Sequence, residues 1–359
     1  MFRPRNIFTA LLITAILIPL IYSSTFAGGN RRIGTAGAQE LLIPVGSAGS
    51  ALNGSNQAMS TGIDAIFWNP AGVDRSNYQS EVMFSSMNYI AGLDLTYIAV
   101  AVKFQGLGSL AFSLKNLDFG DIILTTEENT DGTGETFSPT YITGGLTFSR
   151  VMTDRIAFGV TAKVISESIL RESAKGVALD VGVQYSSGPG GYRLGVVLKN
   201  LGPNMKFDGP DLEEKHQPSN TEPGSTAEPR RIVLQSFELP STLELGLGYE
   251  FLLDEQNTLT LSSDFVNNNF SLDEFKFGAE YSLNNIIFLR GSYNIGYNSD
   301  AEGDENSFTN SSEDFLWGPS AGVGLLYDLT PDMGLSIDYA YQSAAIFDNR
   351  QWFTITLSF

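Results

Sequence analysis

Gln351-Trp352-Phe353-Thr354-Ile355-Thr356-Leu357-Ser358-Phe359 closes the chain, and its reading decides the fold. Phe353, Ile355, Leu357 and Phe359 alternate with Thr354, Thr356 and Ser358. Successive side chains of a strand point to opposite faces, so this stretch has one apolar face and one hydroxyl face. A soluble sandwich can use such a strand at its edge, with the apolar face inward. A strand with hydrocarbon on one side and a wet or packed lumen on the other needs the same pattern. Ending on a bare aromatic favours the second reading, the last strand of an outer-membrane barrel.

The rest of the chain repeats the pattern. Leu243, Leu245, Leu247, Tyr249 and Phe251 share one face, with Glu244, Gly246, Gly248 and Glu250 on the other. Val177 to Tyr185 and Met333 to Tyr341 alternate in the same way. Charges recur on the polar faces, among them Lys163, Asp180, Glu244, Asp264, Lys276, Glu280, Arg290 and Asp338. Alternation alone does not separate sandwich from barrel, but the connections do. About fourteen strands are expected, near 78–88, 94–104, 109–119, 139–150, 155–169, 173–187, 191–201, 238–253, 257–266, 271–283, 286–297, 315–329, 332–343 and 350–359. The connections after even-numbered strands are tight, such as Asn284-Asn285 and Thr330-Pro331, with residues that turns require. Those after odd-numbered strands include the long stretches 120–138, 202–237 and 298–314. Sorting short turns to one end and long loops to the other is the outer-membrane barrel pattern, and an even count puts both termini at the periplasmic end. The fold class expected is all-β: a closed transmembrane antiparallel barrel.

The N-terminus fits export. Arg3 and Arg5 precede a mostly apolar run from Ile7 to Tyr22, and Thr25-Phe26-Ala27 offers a cleavage site before Gly28. Residues 1–27 are read as a signal peptide, and the absence of cysteine excludes a lipoprotein anchor. The expected location is the outer membrane of a Gram-negative-type bacterium. The formal charge of −19 becomes −21 once the two arginines of the signal are gone, which argues against nucleic-acid partners. Without cysteine there is no disulfide, thiolate zinc site or thiol nucleophile. The single histidine, His216, lies in a polar loop, too little for a catalytic triad or a histidine metal site. No enzyme, cofactor or metal is expected.

Residues 28–77 break the alternation. They are rich in Gly, Ala and Ser and end in Ala65-Ile66-Phe67-Trp68-Asn69-Pro70-Ala71-Gly72-Val73. Small residues allow close packing, and about fourteen strands enclose more space than their own side chains fill. This segment is expected to start at the periplasmic side and fold into the barrel as a plug or hatch. The barrel proper then spans 78–359. The 202–237 loop carries five prolines and Arg230-Arg231, and is read as partly disordered or as a docking surface. The loop holding Asp304 and Glu305 is acidic, but without a calcium-loop spacing.

These stretches resemble the PorV/PorQ family of the FadL-like outer-membrane barrel group. Val45 to Val73 matches the family's N-terminal segment, Thr125 to Ser138 the loop after strand three, and Glu167 to Gly182 and Leu198 to Gly209 two further blocks. Asn69-Pro70-Ala71-Gly72 alone is common to the wider group. Two places depart from the family: Ala48 stands where a basic residue is expected, and Thr61-Gly62 where acidic ones are. The resemblance implies a non-enzymatic carrier or scaffold of type IX protein secretion. Its partners would be outer-membrane lipid, secreted cargo with C-terminal signal domains, and the sortase or translocon. The rim residues Phe207, Asp208, Arg230, Arg231, Asp304 and Glu305 are the candidates for partner binding, and Trp68 to Gly72 for the plug motif. Phe353, Ile355, Leu357 and Phe359 resemble the signal read by the barrel-assembly machinery. The alternative is a FadL-like transporter of hydrophobic small molecules.

Overall fold

The structure, a computed structural model, describes residues 32–216, 228–298, 307–309, 316–330 and 332–359. The stretch 1–27 read as a signal peptide and the pair Asp304 and Glu305 lie outside the described residues. Fourteen antiparallel strands close into a barrel. In chain order they are β1 Ser80–Asn88, β2 Asp94–Phe104, β3 Gly108–Asp118, β4 Thr140–Val151, β5 Ile156–Ile169, β6 Glu172–Ser186 and β7 Tyr192–Leu201. There follow β8 Thr242–Leu252, β9 Thr258–Asn268, β10 Asp273–Leu283, β11 Ile287–Asn298, β12 Trp317–Thr330, β13 Met333–Ala344 and β14 Arg350–Ser358. Each pairs with its neighbours in sequence, and β14 closes the ring on β1 with Ser85 opposite Thr354. Reciprocal backbone bonds seal the seam: Ser80 N donates to Phe359 O at 2.6 Å and Phe359 N to Ser80 O at 2.8 Å. Closure leaves no open edge, which hydrocarbon would not tolerate.

Alternation now has a direction. Phe84, Ile98, Phe112, Leu146, Val164, Val177, Leu289, Phe353 and Ile355 all point outward and are exposed. An apolar outer surface on a closed barrel is a lipid-facing surface. The polar faces point inward, where the charges expected there pair across strands. Lys163 meets Asp180 at 2.5 Å, Lys199 meets Glu244 at 3.2 Å, and Arg290 meets Glu280 at 2.5 Å and Asp338 at 2.6 Å. These pairs form a belt around one side of the inner wall from β5 to β13. Buried pairs of this kind add little net stability, but a slip of register by one residue would turn every charge toward lipid.

The tight turns follow the expected chemistry. Asn284 and Asn285 both have φ of 55°, and Ile286 N bonds Leu283 O at 3.0 Å. Two left-handed residues in succession make the turn that suits strand twist, and Asn tolerates that conformation. The largest departure from the sequence reading of the strand boundaries is in β8. β8 begins at Thr242 rather than 238, because Phe237 and Leu239 turn into the lumen mouth. Met205 and Phe237 exchange backbone bonds at 2.8 and 2.9 Å, and Asn200 Nδ2 holds Pro240 O at 3.1 Å. The long connection after β7 is therefore anchored at both ends rather than purely external. Its middle carries a hairpin that pairs Glu213–His216 with Glu228–Arg231.

The principal hydrophobic core lies inside the ring. Ile43, Val45, Ala51, Ile63, Ala65, Ile66 and Val73 of the N-terminal segment pack with Met83, Met87, Leu95, Tyr97, Ala99 and Trp352 of the wall.

Candidate functional site

The segment that packs inside the barrel contains short helices rather than strands: α1 Ser47–Ala51, α2 Ala65–Trp68, and a 3-10 turn at Pro70–Arg75. Asn69 organises the turn. Its Oδ1 accepts from Ala71 N at 3.2 Å, and Pro70 sits at the first helical position, where no N–H is needed. Asn69 Nδ2 reaches Gln57 O at 3.0 Å and Val183 O of the wall at 3.3 Å. Ser149 of β4 donates to Ala71 O at 3.1 Å. Asp74 takes Ser109 Oγ at 2.7 Å and Val151 N at 2.8 Å. Asn69-Pro70-Ala71-Gly72 is thus a turn and also the point where the segment is riveted to β3–β6. Trp68 is buried, edge-on to Phe67 at 4.9 Å, with the Lys199 ammonium 5.5 Å above its ring.

The wall makes room for this contact with glycines. A Cβ on Gly159 would lie 2.2 Å from the carbonyl carbon of Pro70, and one on Gly182 would lie 2.1 Å from Asn69 Oδ1. Gly195 and Gly246 leave the same kind of space for the backbone of Gln57 and Ala58. Glycine in a strand interior often marks such a close approach.

Above these rivets the segment runs to the long-loop end. Gly37 N bonds Glu238 O at 3.1 Å, and Arg32 pairs with Glu238 at 2.7 Å. The first described residues therefore sit at the long-loop end, opposite the end where Ser80 pairs with Phe359, whereas the sequence reading starts the segment at the short-turn, periplasmic side. There they floor a cavity of about 520 Å³. Its walls are Tyr89, Leu117, Phe119, Tyr141, Phe207 and Phe237, with Ile43 and the stretch Thr35 to Glu40 beneath, and Glu167 beside Glu40. Phe119 and Tyr141 meet edge to face at 4.8 Å, and Phe207 and Phe237 are tilted against each other at 5.9 Å. Exposed Thr35 and Gln39 on its lining connect it to the surface. Burial raises the Glu40 carboxyl above its ordinary range, and burial likewise raises the Tyr89 hydroxyl.

The expected rim residues separate. Phe207 pairs with Ala174 of β6 and lines the cavity, while Asp208 faces out and bonds Arg231. Arg230 lies on the hairpin opposite Glu214. Phe353, Ile355 and Phe359 are exposed on the outer face, with Leu357 on the same face of β14. Sequence reasoning missed the cavity entirely; the aromatic positions next to strand ends at the long-loop rim were the available signal.

Solved structures share this architecture. The chain resembles CymD, a monoaromatic hydrocarbon channel, with a TM-score of 0.50 and 12% identity over 89% of this chain and 98% of that one. The toluene transporter TodX of Pseudomonas putida gives 0.50 and 12%, over 86% and 96%. A Pseudomonas aeruginosa FadL homologue gives 0.45 and 12%, over 88% and 98%. No protein-family model matches the sequence. No curated protein matches it either. At this level of identity the likeness to CymD and TodX establishes the fold, a 14-stranded barrel of the outer-membrane type.

Proposed function

We propose that the chain is an outer-membrane channel for small hydrophobic molecules. In this reading the aromatic cavity is its outer binding site, and residues 43–75 close the lumen beneath. The observation that carries it is the cavity: about 520 Å³, walled by five aromatic side chains, at the long-loop end of a membrane barrel. Ligand sites are usually concave, apolar and largely preformed, with a few polar groups that orient the guest. CymD and TodX, which share the fold, are described as a channel for monoaromatic hydrocarbons and a toluene transporter. The reading places the long loops outside the cell and the short turns, with the Ser80–Phe359 pairing, at the periplasmic end.

The experiment is uptake of a labelled monoaromatic hydrocarbon by cells that carry the barrel, against cells that lack it. Phe237→Asp puts a charge into the cavity wall without touching a spanning strand. Uptake should fall severalfold in that variant while the folded, heat-modifiable band stays. Uptake equal to that of cells without the barrel, or unchanged by Phe237→Asp, refutes the reading.

The carrier role in type IX secretion rests on the sequence motifs alone. The loop it would use is partly committed to the lumen mouth, through Met205, Phe207, Phe237 and Leu239. A pull-down with secreted proteins bearing C-terminal signal domains separates the two: a carrier retains them and a channel does not.

A further inference from the structure

The floor of the cavity is unsuited to a plain hydrocarbon. Glu40 and Glu167 both line it, and each is only 3% exposed. Apart from Glu167, no side chain donates a hydrogen bond to the Glu40 carboxyl. The two carboxyls hydrogen-bond each other, so one of them carries the proton of that bond. Two buried carboxyls with little but each other as side-chain partners are costly, and an apolar guest would leave them so.

Lys115 stands close but does not satisfy the pair. Its ammonium donates to the backbone oxygens of Glu40 at 2.6 Å, Ile43 at 3.2 Å and Leu41 at 3.5 Å, and it faces the Phe67 ring at 5.0 Å. Its hydrogens are directed to the segment's carbonyls, below the floor. The carboxyl pair lines the cavity, and a cationic guest can displace to solvent the proton that the pair shares. Lining the cavity with them are the aromatic side chains of Tyr89, Phe119, Tyr141, Phe207 and Phe237. Carboxylate below and aromatic rings around is the environment that holds an ammonium group, through its charge and through the negative ring faces.

A divalent metal fits less well. Hard cations take six to eight oxygens, and the described residues hold no group of three or more acidic, His or Cys side chains able to bind one. A fatty carboxylate would meet like charge. The chain as a whole, with 40 acidic against 21 basic residues, attracts cations toward its mouth.

We propose that the preferred guest of this cavity is an amphiphilic organic cation, an aromatic or alkyl ammonium whose charged end docks on Glu40 and Glu167. This rests on the reading of the cavity as a hydrophobic-molecule site and specifies the class of molecule.

The test uses the full barrel in nanodiscs of phosphatidylcholine, with three probes of equal size. They are 3-phenylpropyl-trimethylammonium, its neutral isostere with a tert-butyl group in place of trimethylammonium, and 5-phenylpentanoate. Calorimetric titration should show the cation bound about tenfold or more tighter than the neutral isostere, and the carboxylate weakest. The Glu40→Gln and Glu167→Gln double variant should bring the cation down to the level of the isostere while leaving isostere binding in place. Glu167→Gln alone, which leaves the lumen segment unaltered, should lose part of the preference with the heat-modifiable band intact. Isostere binding as tight as cation binding, or a preference that survives the double variant, overturns the inference and leaves the channel reading standing. Binding of no probe at all overturns both.

Discussion

Gly159→Ala separates docking of the lumen segment from integrity of the barrel. The new Cβ would lie 2.2 Å from the carbonyl carbon of Pro70, 2.3 Å from its oxygen and 2.5 Å from Ala71 N. All three are backbone atoms, so no rotamer change relieves the clash. The turn must withdraw by about 1.3 Å to regain ordinary contact near 3.5 Å. That withdrawal strains the bond from Ser149 to Ala71 O, now 3.1 Å, and those from Ser109 and Val151 to Asp74, now 2.7 and 2.8 Å. Overpacking costs roughly 1–3 kcal/mol, and each lost buried hydrogen bond about 1 kcal/mol. A shift of about 3 kcal/mol changes the ratio of docked to undocked segment roughly a hundredfold. The strand itself gains slightly, since replacing Gly by Ala at a compatible site stabilises by about 0.4–1 kcal/mol. The expected result in planar bilayers is a barrel with an unchanged heat-modifiable band and a clear rise in open events. Gly144→Ala and Gly291→Ala are the controls, because nothing lies within 4 Å of a Cβ at either position. Traces for Gly159→Ala that match the parent, or the same rise in the controls, would refute the docking argument.

Asp64 of the lumen segment gives a pH dependence. Burial first, and then Asp338 across the lumen, push its carboxyl from 3.8 up to about 7; Glu81 and Glu280 add to this and Arg290 opposes it. The docked segment holds a proton that the released one loses, so docking is tightest near pH 4, weakens as pH rises to 7 and levels off above. Conductance should rise over that window and flatten in Asp64→Asn; a fall, or no change, between pH 4 and 7 sinks the argument. Deleting Phe359 removes the paired bonds to Ser80 and an outward aromatic that is 44% exposed. Unsatisfied backbone groups in lipid cost several kcal/mol each, so the folded barrel in the outer membrane should drop severalfold, and normal levels of the truncated chain would rule the role out.

The wall was legible because membrane solvation acts on single residues. Each inward or outward position is set by its own polarity, and each tight turn by its own Asn, Gly or Pro. The cavity was not legible because Tyr89, Phe119, Tyr141, Glu167, Phe207 and Phe237 come from separate connections and strand ends that meet only after closure. The lumen contacts fell between these cases. Gly159, Gly182, Gly195 and Gly246 look in sequence like weak strand residues, yet they share the inward face and trace the path of residues 57–71 along the wall. Inward glycines at the centres of adjacent strands were a readable sign of backbone approach.

Position 62 shows how segment and wall determine each other. The family resemblance leads one to expect an acid there, and this chain has glycine. Gly62 has φ of 63°, a conformation few side chains accept, and a Cβ on it would meet the Glu81 carboxylate at 2.7 Å. An acid at 62 would set like charges in contact inside a buried site, which is strongly unfavourable. Glu81 of β1 therefore places a carboxyl of the wall at that level of the lumen, and glycine at 62 leaves the space beside it and lets the backbone turn.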